Sequence, residues 1–189
     1  YAWAFGPGDL AMVEVEDGVR RFIDESQNVH ISTYYEVEPF NDCGLAEIRT
    51  NGKAGCMDIE GNLVVEPEYE MIQIFDNGCI SVGNGKETWV VDAQGKILVE
   101  PLYGVQFIPT ASPDVWLFYD LMAGKYGMLN AAKGIKTASV YYSMETFGDN
   151  GALVYSEDDS SVRMFGEFGQ TQQTWEKQGE GFWHAPVYN

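Results

Sequence analysis

The chain has 189 residues and a formal net charge of −18 at pH 7, with 45% hydrophobic and 14% aromatic content. That apolar fraction suffices for a core and excludes a disordered tail. The acidic balance excludes the basic footprint that nucleic acid demands and disfavours an anionic membrane surface, and the apolar runs are too short to span a bilayer.

Taken in chain order, the signals are short strands and tight turns. Asp17-Gly18 marks a first hairpin. Leu45–Thr50 alternates apolar and polar, the period of a half-buried strand. Asn51-Gly52 follows as a hairpin turn, since a type I′ turn needs positive φ at both central residues. Lys53 to Ile59 reads as the return strand, Glu60-Gly61 as a second turn and Asn62 to Glu66 as a third strand. Pro67 is expected to stop that strand, because proline cannot donate to a ladder. Tyr69 to Phe75 reads as a fourth strand or an extended linker. The plan returns with turns at Asn84-Gly85, Gln94-Gly95 and Ala123-Gly124. No amphipathic helix is predicted. Ala131-Ala132-Lys133 has helical propensity, but Gly124, Gly127 and Gly134 surround it.

These elements repeat. Asp24, Asp58 and Asp92 recur every 34 residues, as do Tyr35, Tyr69 and Tyr103, while Phe5, Phe40 and Phe75 recur every 35. Asn130 takes the aspartate place after 38 residues. Gly61–Tyr69 and Gly95–Tyr103 match almost residue for residue. Such a period signals a tandem array. The fold class expected is all-β, about five β-meander repeats of 34–38 residues in a curved, solenoid-like array, with a closed five-bladed ring as the alternative. The array forms a single repeat domain over residues 1–189, with units near 1–39, 40–74, 75–107, 108–146 and 147–189. The recurring phenylalanines and tyrosines are expected to pack between units.

Gly124-Lys125-Tyr126-Gly127-Met128-Leu129-Asn130, Gly52-Lys53-Ala54-Gly55-Cys56-Met57-Asp58 and the Glu66-Pro67-Glu68-Tyr69 ending resemble the unit of the WG-repeat (KWG-like) family of bacterial proteins. Gly44-Leu45-Ala46 and Lys96–Tyr103 fit the same pattern. The resemblance runs from Phe5 to Tyr188. It departs at the name-giving Trp-Gly pair, replaced by Ala54-Gly55 and Tyr126-Gly127. In the third unit Glu87-Thr88-Trp89 reads as a tryptophan displaced by an insertion. The resemblance implies β-rich tandem repeats and supplies no catalytic residue.

Cys43, Cys56 and Cys79 have no Cys-x-x-Cys pairing and no zinc spacing, so they are read as free thiols, with a Cys43–Cys79 bridge as the alternative. That usage leans cytoplasmic. The chain opens at Tyr1 part-way through a unit, the start expected of a processed or trimmed product, which leaves room for a removed leader.

No metal or cofactor is expected. Asp24, Asp58, Asp92 and Asn130 are read as turn residues that bond the backbone two positions on, rather than as a row of ligands. Glu66 and Glu100 stand at equivalent positions before proline and could line up as an acidic stripe, although a solvated strand edge is the simpler reading. Glu157-Asp158-Asp159 forms an acidic hairpin tip. Trp116 and Trp183, with Trp3, Phe118, Tyr119, Trp175 and Phe182, fall outside the repeat template and are candidates for stacking on a sugar, anchoring a partner or capping the array. His30 and His184 have no motif around them, and no nucleophile signature is present, so an enzyme is not expected. That reading gains only if either histidine lies in a pocket beside carboxylates.

The function expected is a non-catalytic repeat module or scaffold that binds another protein or peptide; the net charge is compatible with a basic partner, and solubility alone is the simpler reading of it. An acidic inhibitor or immunity-type protein that blocks a basic protein is the second reading. A glycan-binding module using the off-template aromatics is the third.

Overall fold

Alternation of apolar and polar residues between two-residue turns forces the chain into antiparallel meanders, in which each strand pairs with its sequence neighbour. The structure, a computed structural model, describes residues 6–15, 18–110, 112–147, 152–157, 161–165, 171–177 and 183–184, with the backbone alone for residue 7 and from residue 145 onwards. Every described strand lies in one of five antiparallel sheets. The first holds β1 (Ala11–Glu14), β2 (Arg20–Ile23) and β3 (Val29–Thr33). The second holds β4 (Glu36–Val37), β5 (Leu45–Thr50), β6 (Lys53–Asp58) and β7 (Leu63–Tyr69). The third holds β8 (Met71–Ile74), β9 (Ile80–Gly83), β10 (Glu87–Val91) and β11 (Ile97–Tyr103). β12 (Val105–Pro109), β13 (Val115–Asp120), β14 (Lys125–Asn130) and β15 (Ile135–Lys136) make the fourth. β16 (Ser143–Phe147), β17 (Ala152–Glu157), β18 (Ser161–Phe165), β19 (Thr171–Lys177) and β20 (Trp183–His184) make the fifth. The fold is therefore all-β and built of tandem meanders. A short 3-10 turn at Pro7–Asp9 precedes β1. Each meander after the first opens with a short strand that begins ahead of the unit boundaries at 39/40, 74/75, 107/108 and 146/147, and β12 and β16 run across theirs.

The chain divides into two compact units, 1–101 and 102–189. In the first, sheets stack face to face. Leu10, Met12, Phe22 and Ile31 of the first sheet pack on Ala46, Ile48 and Met57 of the second. The opposite face of the second sheet, through Leu45, Cys56 and Val65, packs on Ile80, Val82 and Val91 of the third. Alternation along β5 and β6 is what gives one sheet two apolar faces. In the second unit, Val115, Leu117 and Met128 of the fourth sheet pack with Tyr141 and Met144.

Four expectations are corrected. Pro67 does not end its strand: β7 runs on to Tyr69 as an outer strand with register shifts against β6, and a bulged outer strand tolerates proline. No insertion displaces Trp89. Val91 pairs with Ile80 and Thr88 with Gly83, the same spacing as Met57 with Ala46 and Ala54 with Arg49, so Trp89 occupies the place of Gly55. The second hairpin turns on Gly85-Lys86, with Asn84 N–H donating to the Glu87 carbonyl at 3.1 Å, one residue later than read from sequence. Finally, Phe75 is not the counterpart of Phe40. Asn41 N–H donates to Leu45 O and Phe75 N–H to Cys79 O, both at 2.9 Å, which sets Phe75 against Asn41 and Ile74 against Phe40. Phe40 itself is core, its ring 4.8 Å from that of Phe22. Tyr35 and Tyr69 pack against the cores of the first unit, but Tyr103 is 69% exposed.

Candidate functional site: an acidic cleft in the first two meanders

The recurring aspartates close one loop geometry. Asp58 Oδ1 accepts the backbone N–H groups of Glu60 (3.1 Å) and Asn62 (2.7 Å), and Asp92 Oδ1 accepts those of Gln94 and Lys96 at 2.9 Å. Asn130 Oδ1 accepts Lys133 N–H at 3.0 Å. Asp24 does the same for Ser26 and Asn28 at 2.9 Å, and Asn28 Nδ2 donates to its Oδ2, as Asn62 Nδ2 does to Asp58. These are turn-fixing side chains.

The Asp24 loop has one addition. β3 begins at Val29, and its second residue, His30, places Nε2 3.0 Å from Asp24 Oδ2. That bond, followed by those from Asn28, holds the Asp24 carboxyl well below the usual carboxylate range. The loop stands beside the Gly8–Leu10 turn and the Ile59–Glu60 segment, and together they line a half-open cleft of about 700 Å³. Leu10 and Ile59 supply its apolar lining; Ile59 packs on the core shared by the first two sheets and fills the space where a side chain at Gly8 would lie. Asp9, Glu25 and Glu60 stand exposed around it, with Asp24 half-buried. Among the described residues no lysine or arginine lines it.

His30 therefore does lie in a pocket beside a carboxylate, the condition under which an enzyme reading gains. The rest of a hydrolytic constellation does not follow. Ser26 contributes its backbone N–H to Asp24, and no hydrogen bond joins its hydroxyl to His30 among the described residues. The Asp58 loop forms the same turn with no histidine, so His30 is an addition to a loop that stands without it.

Glu66 and Glu100 are exposed on the outer strands β7 and β11, one before each proline, as the sequence places them. Glu157 ends β17, and its side chain, with Asp158 and Asp159, lies outside the described residues, as does the side chain of Trp183. Trp116 belongs to the core rather than to a binding face: it is fully buried, its indole N–H donates to Pro113 O at 2.9 Å, and its ring stands edge-on to Phe107. The sequence reading placed it off-template because Ala46 holds the equivalent position in the second sheet. Cys43, Cys56 and Cys79 are free thiols, with Cys56 and Cys79 buried. Burial pushes the Cys56 thiol up to about 12 and raises that of Cys79. The cleft itself escaped the sequence reading because its members come from three loops. The available signal was the Asp24–Asn28 and Asp58–Asn62 spacing, which sets both loops in one geometry; Glu25, His30 and Glu60 line one cleft.

Part of the chain is similar to a family of repeats, and most of it to solved structures of low identity. The pattern described as "WG containing repeat" matches residues 21–53 and 55–86. No curated protein matches the chain. Among solved structures, Hsv2 from Kluyveromyces lactis is 8% identical, with a TM-score of 0.46 over 93% of this chain and 63% of that one. BamB from Moraxella catarrhalis is 12% identical, with a TM-score of 0.41 over 92% of this chain and 63% of that one. The WD40 β-propeller domain of Doa1 is 12% identical, with a TM-score of 0.38 over 94% and 68%. The chain thus spans less than two thirds of the first two structures.

Proposed function

We propose, for a chain that carries tandem WG repeats at residues 21–53 and 55–86, a role as a non-catalytic module that binds another protein or peptide. Repeat architectures present surfaces rather than a single reactive constellation. The observation that carries the reading is the cleft beside Asp24: lined by Leu10 and Ile59 and by the exposed carboxylates of Asp9, Glu25 and Glu60, with no lysine or arginine among its described residues. In a chain of net charge −18, such a site favours a partner with a lysine or arginine to offer, both by steering and by pairing. The same charge supports the narrower reading of an inhibitor or immunity-type protein that covers a basic protein. The glycan reading loses support, since Trp116 has no surface to stack on a sugar.

The test is capture of partners on the immobilised chain at low salt, eluted by a salt gradient. A single basic protein released at moderate salt, and lost when Glu25 and Glu60 are both changed to glutamine, supports the reading. A partner that resists high salt and ignores those substitutions moves the binding face away from the cleft.

A further inference from the structure

The outer strands of the meanders differ in how they meet solvent. A strand at a sheet edge offers a row of unpaired N–H and C=O groups, and proteins blunt it with proline, charge, bulges or brevity. β7 carries Glu66-Pro67-Glu68 and is bulged against β6. β11 carries Glu100-Pro101, and β15 is two residues long. β3 carries fewer of them: one register shift, beside Ile23, leaves His30 out of the ladder, and the strand is otherwise unprotected. It reads Val29-His30-Ile31-Ser32-Thr33, with no proline and no acidic or lysine side chain. Beyond the shift next to Ile23 it runs in register with β2 through Phe22↔Ile31, Arg21↔Ser32 and Arg20↔Thr33. Val29 is 49% exposed, His30 and Ser32 are exposed, and among the described residues no backbone hydrogen bond closes on the outer side of this strand. At equivalent places, Ser32-Thr33 stands where the second sheet has Glu66-Pro67.

We propose that β3 is a docking edge for an extended peptide segment of a partner protein, which adds as a fourth strand to the first sheet and sends a lysine or arginine into the neighbouring acidic cleft. This rests on the binding-module reading and gives it a geometry. Main-chain hydrogen bonds hold such a segment, and side-chain pockets choose it. Here the pocket begins where the strand begins: His30 belongs to both, and Asp9, Glu25 and Glu60 surround the entrance. A cationic side chain meets three exposed carboxylates there and, among the described residues that line the cleft, no lysine or arginine.

The experiment measures fluorescence anisotropy of a labelled acetyl-Lys-Thr-Val-Thr-Val-Thr-Lys-amide peptide with the whole chain. Saturable binding is expected. Methylating alternate backbone amides of the peptide should weaken it by about tenfold or more, because the bonds to the edge are lost while the side chains remain. Installing the sister sequence with Ser32→Glu and Thr33→Pro should cost about as much, with the melting temperature showing that the fold survives. Glu25→Gln with Glu60→Gln should weaken the lysine peptide several-fold and leave a glutamine-substituted peptide unchanged. The absence of saturable binding to the wild-type chain overturns the proposal. Equal affinity for the methylated peptide also overturns it, and it does so whether or not the edge variant folds. Binding that ignores methylation places the peptide elsewhere, so the docking edge falls while the binding-module reading stands.

Discussion

The second and fourth sheets share a backbone plan and fill it in opposite ways. Ala46 and Trp116 hold one position, and both are fully buried. Ile48 pairs with Gly55 in one sheet, Phe118 with Gly127 in the other. In the second sheet the glycine admits backbone: a Cβ at Gly55 would lie 2.5 Å from Val65 O and 2.7 Å from Pro67 N. In the fourth it admits a side chain: a Cβ at Gly127 would strike the Phe118 ring. The repeat thus conserves hairpin register and lets volume migrate between strands, because a core requires total volume and density rather than a particular residue at each place.

The largest expected effect tests that statement in the fourth sheet. Trp116→Ala, which recreates the residue of the second sheet, should destabilise the second compact unit by about 3–5 kcal/mol, since no neighbour there has grown to fill the space. Chemical denaturation followed by tryptophan-independent circular dichroism reads it. A loss below about 1 kcal/mol would mean that the slot collapses freely and that the two sheets are interchangeable. Next comes Gly55→Ala. The atoms it meets are backbone, so β7 must shift, and a cost of about 1–3 kcal/mol is expected. A neutral result would show that the bulge at Pro67 has room that the register denies.

Cys56 sharpens the comparison through pH. It faces the third sheet beside Val65, while the equivalent place in the fourth sheet is Met128, which does not titrate. Burial raises the Cys56 thiol from 9.0 to about 12. The folded chain therefore holds a proton that the unfolded chain releases above pH 9. Stability from this group is complete below pH 9 and declines as pH climbs toward 12, with a limiting slope of about 1.4 kcal/mol per pH unit. Cys56→Ala should flatten the alkaline limb of the stability profile of the first compact unit relative to the wild type. Parallel limbs in the two proteins would remove the assignment.

How legible this was in the sequence follows from what each signal measures. The Asp58 and Asp92 turns were readable because an Asx turn is local: one side chain and the backbone two and four residues on. Asn51-Gly52 was readable for the same reason, and both residues have positive φ, 50° and 75°. Glycine at 55 and 127 was readable as a repeat mark but not as a cause, since what crosses each lies on another strand. Trp116 looks off-template by residue type, whereas register gives it the place of Ala46. Phe75 was misaligned because phenylalanine recurs in type, one residue out of phase. The cleft was missed because its three loops meet only when the first two meanders stack, and no pattern along the chain records that meeting.

The smallest effect is the most discriminating, because it compares the Asp24 loop with its sister loops at a single residue. Counting from the aspartate, the third position is Gly61 with φ 86° and Gly95 with φ 77° in the second and third sheets, but Gln27 with φ 65° in the first. Each donates its N–H to the aspartate carbonyl, so all three backbones follow one path: Gln27 to Asp24 at 2.9 Å, Gly61 to Asp58 at 3.0 Å and Gly95 to Asp92 at 2.9 Å. A β-carbon in the left-handed region costs roughly 1–2 kcal/mol, partly offset by the greater freedom that glycine brings to the unfolded chain. Gln27→Gly should therefore stabilise the first compact unit by about 0.5–1 kcal/mol, read as a rise in denaturation midpoint at unchanged slope. Should the midpoint fall instead, the glutamine side chain must be contributing more than its backbone strain costs. The loop that carries His30 and borders the cleft would then differ from its sisters by selection for a contact, and not merely by drift from the repeat.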